Sequence, residues 1–189
     1  MTDDLLKVLR LTAVQAAPLL LGCQISRGAV KLMIVETEAY NQLDPASHSF
    51  RGLTARTAPM FEAGGRLYVY FTYGMHYCLN IVVGRHGVGE AVLLRAGQPL
   101  AGIDVMRRNR GVDDIKRLAN GPAKLAQALG IKDTSPSGKI LNKSSILLAP
   151  PEQAIAPDQI IAGPRIGITK AIDHPWRFYL KDNPYVSKL

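Results

Sequence analysis

The sequence predicts a single α+β domain, a twisted and mostly antiparallel sheet surrounded by helices, and three observations carry that prediction. Three strand-like runs, residues 66–73, 76–83 and 91–96, follow one another with only short turns between them, which makes adjacent antiparallel strands the economical pairing. A further apolar run, residues 30–40, is long enough for a central strand. Helical patterns lie outside this strand block, which gives the mixed class. The 189 residues fit one domain spanning 1–189. With 47% hydrophobic and 20% charged residues there is apolar surface enough for a core, and a disordered chain is excluded.

Residues 3–21 read as helical: Thr12 and Gln15 have capping-box spacing, Leu19, Leu20 and Leu21 lead to Gly22 as a stop, and Pro18 argues against one unbroken helix. Cys23 to Ser26, a turn at Arg27-Gly28, and Val30 to Tyr40 form a hairpin that enters the long strand. Side chains alternate along a strand, so Glu36, Glu38 and Tyr40 share a face with Val30, Leu32 and Ile34. Both faces are mostly apolar up to position 36, and the strand then ends in carboxylates. Residues 41–65 form a polar connection of a length usual for functional loops. Helices are expected at 100–110 and at 120–129, the second with Asn120 as N-cap, Pro122 in its first turn and Gly130 as its stop. Turn residues dominate 133–158, and short strands return near 146–148, 160–168 and 177–180.

Lys and Arg number 23 against 15 Asp and Glu, a net charge of +8 that points to a polyanionic partner without naming it. Two cysteines, Cys23 and Cys78, exclude a disulfide scaffold, and the four histidines show no metal-ligand spacing. The acidic start Thr2-Asp3-Asp4 is unlike a signal peptide and no apolar run approaches about 18 residues, so the chain reads as a soluble, cytoplasmic protein with no membrane partner.

Several residues have side chains suited to chemistry. Glu36 and Glu38 project from one face about 7 Å apart, as an acid and base pair, as one acting and one structural carboxylate, or as charges solvated at a strand end. The stretch 66–77 holds four of the seven tyrosines, with Tyr68 and Tyr70 on one face, and Phe71 and Tyr73 on the other. Tyr73, beside the Gly74 turn, has little core to join and suits stacking on bases. Asn80 interrupts an apolar strand and is either a satisfied core amide or a reader of a ligand edge. Arg95 ends its apolar run as Glu38 ends its own; a shared sheet edge would bring the two together. His48 sits in a turn-rich loop, and Arg107, Arg108, Arg110, Lys116, Arg117 and Lys124 form a basic cluster that is either a solvated face or a phosphate contact. No Walker loop, Rossmann fingerprint or GxSxG occurs.

Taken in order, Ile34-Val-Glu-Thr-Glu-Ala-Tyr40, Ala46-Ser-His48-Ser, Leu67-Tyr-Val-Tyr70-Phe-Thr-Tyr73-Gly-Met with Asn80, Val92-Leu-Leu-Arg95-Ala, Gly121-Pro-Ala-Lys124-Leu, Arg165-Ile-Gly-Ile168 and Arg177-Phe-Tyr resemble the 3-methyladenine (alkyladenine) DNA glycosylase family. The resemblance runs collinearly over nearly the whole chain and is closest to compact bacterial-type members.

It implies a monofunctional enzyme that everts a damaged purine from duplex DNA and hydrolyses its N-glycosidic bond, without a lyase step, metal or organic cofactor. By this similarity Glu38 is the general base that activates water, and Arg95 helps to position the water, with a main-chain carbonyl near Ile166 to Ile168. Tyr40, His48 and Tyr70 form the base pocket together with Asn80, which crowds the exocyclic amine of guanine, and Leu93. Tyr73 is the wedge on a β-hairpin, while Met60, Met75, Arg107, Arg108 and Lys124 contact DNA. Glu36 receives no family role and is expected to be structural. A monomer is the default for a protein that engages DNA on one face. Two other readings stand beside this one: a non-catalytic duplex-binding protein, and an O-glycoside hydrolase using Glu36 and Glu38. The latter is disfavoured because such pairs flank a bond from two sides.

Overall fold

Two short helices open the chain in the computed structural model, which describes residues 2–187. The Thr2 hydroxyl caps α1 (Asp3–Leu9), and the capping box of Thr12 and Gln15 starts α2 (Ala13–Leu19). The helical stretch expected over 3–21 is therefore divided at Thr12 rather than at Pro18. Thr12 must be extended (φ −61°, ψ 157°) for its hydroxyl to accept from Gln15 N, and that conformation keeps α2 from running on continuously from α1, which ends at Leu9. Gly22 closes the segment at φ +80°, where an added Cβ would meet the Ile155 side chain at 2.8 Å.

The strands follow with the expected pairing. β1 (Gln24–Arg27) and β2 (Val30–Tyr40) form a hairpin around Gly28 and Ala29. β3 (Leu67–Thr72), β4 (His76–Val82) and β5 (Ala91–Ala101) pair antiparallel in succession. β2 is the centre of the resulting curled sheet. β5 runs along one of its edges for nearly the full length, whereas the other edge is shared, β1 pairing with its first half and β8 (Arg177–Leu180) with residues 36–38. β6 (Ile146–Ala149) lies outside β1 and β7 (Ile160–Gly163) outside β8, so eight antiparallel strands form one α+β domain.

Three element boundaries and the setting of the two glutamates differ from the sequence expectation, each for a tertiary reason. β5 continues to Ala101 because Pro99 and Ala101 pair with Leu32 and Lys31, so α3 (Ile103–Arg110) starts only after Gly102. That glycine is left-handed (φ +75°), and a Cβ there would sit 2.4 Å from the Ala29 carbonyl oxygen. α4 (Pro122–Ala128) has Gly121 and not Asn120 at its N-cap. Asn120 is instead bridged to Ala96 and accepts from Lys124 Nζ. The strand expected over 160–168 ends at Gly163, and Pro164 turns the chain away from the sheet; a proline cannot donate to a ladder. Lastly, β8 and the tail cover the end of β2, so its carboxylates are buried rather than solvated.

Helices and sheet share one apolar core. Leu20, Ile25, Leu32, Ile34, Leu94 and Leu125 are each fully buried within it. Thr37 donates its hydroxyl to the Ala17 carbonyl of α2, which turns one face of the end of β2 toward that helix. By alternation Glu36, Glu38 and Tyr40 face the opposite way. Among the described residues no helix is long and apolar enough to cross a membrane, and no group of three or more His, Cys, Asp or Glu side chains is arranged to hold a metal ion. Cys23 and Cys78 are free and buried.

Candidate active site

The end of β2 holds two carboxylates, both with 0% exposure, and the tertiary pairing sets their environments apart. Glu36 is closed off: its Oε1 accepts from Arg95 Nε at 3.1 Å and Arg177 Nη1 at 2.9 Å, and its Oε2 from Ser187 N at 2.8 Å. Glu38 lines a cavity of about 370 Å³. Its Oε1 accepts from Arg95 Nη1 at 3.1 Å and from Ile166 N at 2.8 Å, and its Oε2 accepts from the Tyr40 hydroxyl at 2.8 Å. A carboxylate offers about four lone-pair positions, so these three donors leave one on Oε2. Arg95 thus bridges both glutamates; it meets Glu38 not at a shared sheet edge but across the antiparallel pairing of β2 and β5, where Arg95 lies mid-strand. Two guanidiniums against two carboxylates balance the buried charge, as burial demands.

Around Glu38 the cavity is an aromatic cup. Tyr40 and Tyr70 are buried enough that both hydroxyls are pushed well above the usual phenol range, with the nearby Glu38 charge adding to this, so both remain protonated donors. The His48 ring packs edge-on against Tyr70 at 4.5 Å, and its Nδ1 lies 2.9 Å from the Tyr68 hydroxyl. Loss of solvent around the ring, then the Arg56 charge, pulls its pKa down to about 4. The imidazole is therefore neutral near pH 7. Leu93, Asn80 and the buried Met60 complete the walls. Asn80 donates Nδ2 to the Tyr68 carbonyl at 3.0 Å, which turns its Oδ1 the other way.

Tyr73 stands at the rim of the cup, 79% exposed, on the β3–β4 hairpin. Tyr73 and Gly74 both have positive φ (51° and 68°), and Met75 N donates to Thr72 O at 3.2 Å, a turn of the I′ class. That class prefers Asn or Gly at its first central position. A bulky aromatic held there carries backbone strain, and such strain gathers at functional sites. Met75, beside it, is also exposed.

A family model described as Methylpurine-DNA glycosylase (MPG) matches residues 7–184. The chain belongs to that family. Its relatives include a protein of Francisella tularensis subsp. tularensis (strain SCHU S4), 47% identical over 191 residues that cover 98% of this chain and 99% of the relative. One from Rhodopseudomonas palustris (strain HaA2) is 48% identical over 176 residues, covering 92% of this chain and 84% of the relative. One from Carboxydothermus hydrogenoformans is 50% identical over 155 residues, covering 82% and 81%. All three bear the name "Putative 3-methyladenine DNA glycosylase".

In this methylpurine-DNA glycosylase family member the fold gathers Glu38, Tyr40, His48, Tyr70, Asn80, Leu93 and Arg95 around one cavity, with Met60 in its wall and Tyr73 at its rim. Arg107 and Arg108 are not part of it. They ride on α3, which begins beside Ala29 and Val30 at the far end of β2, and Arg107 is held by Asp104 and the Asp113 carbonyl. Lys124 lies one turn into α4, whose first residue Pro122 touches the cavity; burial and the nearby Arg110 and Arg117 lower its pKa. Sequence reasoning missed three residues. Tyr68 orients His48, and its parity with Tyr70 was the available signal. Arg56 reaches to 5.6 Å from the Tyr70 ring centroid and, with Arg51 and Lys170, edges a second hollow behind His48. Arg165 lies against Tyr40 from 125 positions away, and no local pattern announces that contact.

Proposed function

We propose that this protein is a monofunctional glycosylase that removes alkylated or otherwise damaged purines from duplex DNA by water attack on the N-glycosidic bond. The observation that carries the reading is that Glu38, with three donors and one acceptor position on Oε2 left unfilled, lines an aromatic cup roomy enough for a purine. Eversion of a nucleotide costs a few kcal/mol of stacking and pairing, least for a damaged base. Tyr73, on its strained turn, enters the gap and offsets part of that cost. The base then lies among Tyr40, His48 and Tyr70. A purine alkylated at N3 or N7 is cationic, and the tyrosine faces hold it more tightly than a neutral purine by about 0.5–2 kcal/mol. The neutral state of His48 suits the same cation, since an imidazolium would repel it.

Hydrolysis follows from the donors around Glu38. Glu38 Oε2 accepts a proton from a water, whose oxygen forms the new bond to the anomeric carbon. The purine leaves with the electrons of the broken C–N bond, helped by its positive charge. Arg95 Nη1, shared between Glu38 Oε1 and the Ile166 carbonyl (3.5 Å), fixes the carboxylate and the main chain of 166–168 against which that water is held. The Glu38 charge faces the developing sugar cation. Asn80 Oδ1 crowds the exocyclic amine of guanine, which protects normal bases. Met75 beside the wedge and Lys124 near the cavity contact the DNA close to the lesion; Arg107 and Arg108, at the far end of β2, could reach only DNA away from it.

Glu38→Gln tests the reading. Base release from a duplex carrying one alkylated purine should fall at least a hundredfold under single-turnover conditions, with lesion binding retained. Release at the wild-type rate would move the general base to another residue, whereas no release by the wild-type protein itself would favour the non-catalytic binder.

A further inference from the structure

Arg165 takes no part in the steps above, yet it packs behind Tyr40 and joins the end of β2 to the loop that carries His48. Its side chain is fully buried, and Nη1 and Nη2 straddle the equally buried Asp44 carboxylate. Nη1 also donates to the Ala39 carbonyl at 2.9 Å, at the end of β2. The guanidinium carbon lies 4.6 Å from the Tyr40 ring centroid and 5.2 Å from that of Trp176. Asp44 accepts from Ala46 N at 2.9 Å in the turn that leads to His48, while the residue after Arg165 supplies the Ile166 N–H to Glu38.

As a source of stability this arrangement is poor. A buried ion pair returns little net free energy, and Arg165 Nε is, among the described residues, the buried side-chain atom without a hydrogen-bond partner, which costs more. What a planar, stacked fork supplies, and a lysine or a hydrocarbon does not, is orientation.

We infer that Arg165 is a positioning residue: anchored on Asp44 and stacked on Tyr40, it holds the Tyr40 hydroxyl on Glu38 Oε2 and ties the His48 loop to the same frame. This rests on the function proposed above. Tyr40 reaches Glu38 at 2.8 Å in one orientation of its ring. In that orientation its hydroxyl occupies one lone pair of Oε2 and leaves the other for water. Without Arg165 the ring turns, Glu38 loses a donor, and the geometry for water attack loosens.

A double-mutant cycle tests this. Single-turnover release is measured at saturating enzyme for Arg165→Gln, Arg165→Lys, Tyr40→Phe and the Arg165→Gln/Tyr40→Phe double variant, each corrected for folded fraction. Arg165→Gln should slow release at least tenfold, and Arg165→Lys should not restore it. In the Tyr40→Phe background Arg165→Gln should slow release by less than a further threefold. Multiplying effects, restoration by lysine, or a deficit that vanishes on correction would each overturn the proposal. Should Arg165→Gln fail to fold, Trp176→Leu keeps the Asp44 pair and loosens the stack; it should slow release severalfold in the wild-type background alone. The NMR ring signals of Tyr40 give a readout independent of catalysis: Arg165→Gln should move and broaden them, leaving those of Tyr73 in place. If Glu38→Gln released base at the wild-type rate, Glu38 would not be the general base and these signals alone would decide on Arg165.

Discussion

Glu36→Gln separates the two buried carboxylates by role. Glu36 receives three donors, Arg95 Nε and Arg177 Nη1 on Oε1 and Ser187 N on Oε2. Glutamine has nearly the same shape, but one of its two ends is an amide NH2, so at one end a donor meets a donor. The change also leaves Glu38 alone against two guanidiniums. Breaking a buried, hydrogen-bonded pair costs about 3–5 kcal/mol. At this chain length each kcal/mol moves the melting midpoint by about 2–4 °C, so the expected fall is roughly 6–20 °C by calorimetry or circular dichroism. Base release per folded molecule should stay within tenfold of wild type, because Arg95 Nη1, Ile166 N and the Tyr40 hydroxyl still serve Glu38. An unchanged melting midpoint with release abolished would refute the reasoning and make Glu36 a partner in the chemistry.

Two more predictions probe the rim and wall of the cup. Tyr73→Ala should weaken binding to a lesion duplex by roughly 1–3 kcal/mol, the magnitude of a lost stacking contact; an equal loss on a single strand carrying the same lesion would exclude a wedge. His48 has a folded-state pKa of about 4 against an ordinary value of 6.5. Between those values the unfolded chain binds a proton that the folded site refuses, so stability is fully present above pH 6.5 and declines as the pH falls toward 4. Chemical denaturation across this range should show His48→Gln flattening that decline, and a wild-type–variant difference constant from pH 7 to 4.5 would contradict the assignment.

The lesson of the two carboxylates is one of context. Their residue types and spacing along one strand give no reason to treat Glu36 and Glu38 differently. A strand that exits into charge most often ends in water. Here β8 and Ser187 close over Glu36, while Ile166 and Tyr40 leave Glu38 open to a cavity. Arg107 and Arg108 illustrate the reverse case: a basic run is plain in sequence, yet its helix begins at the other end of β2 from the cup.

The strands of the sheet, the hairpin that bears Tyr73, and the collinear motifs shared with a glycosylase family are written in local residue order. Alternation, turn chemistry and apolar run length act over a few neighbours, and the chain must satisfy them wherever it lies. Helix starts at Gly102 and Gly121, the early end of the strand at Gly163, the closing of Glu36 and the seat of Arg165 beside Tyr40 were decided only by assembly. Each depends on a hydrogen bond or contact between segments far apart in sequence, and such pairings leave no periodic trace in either partner.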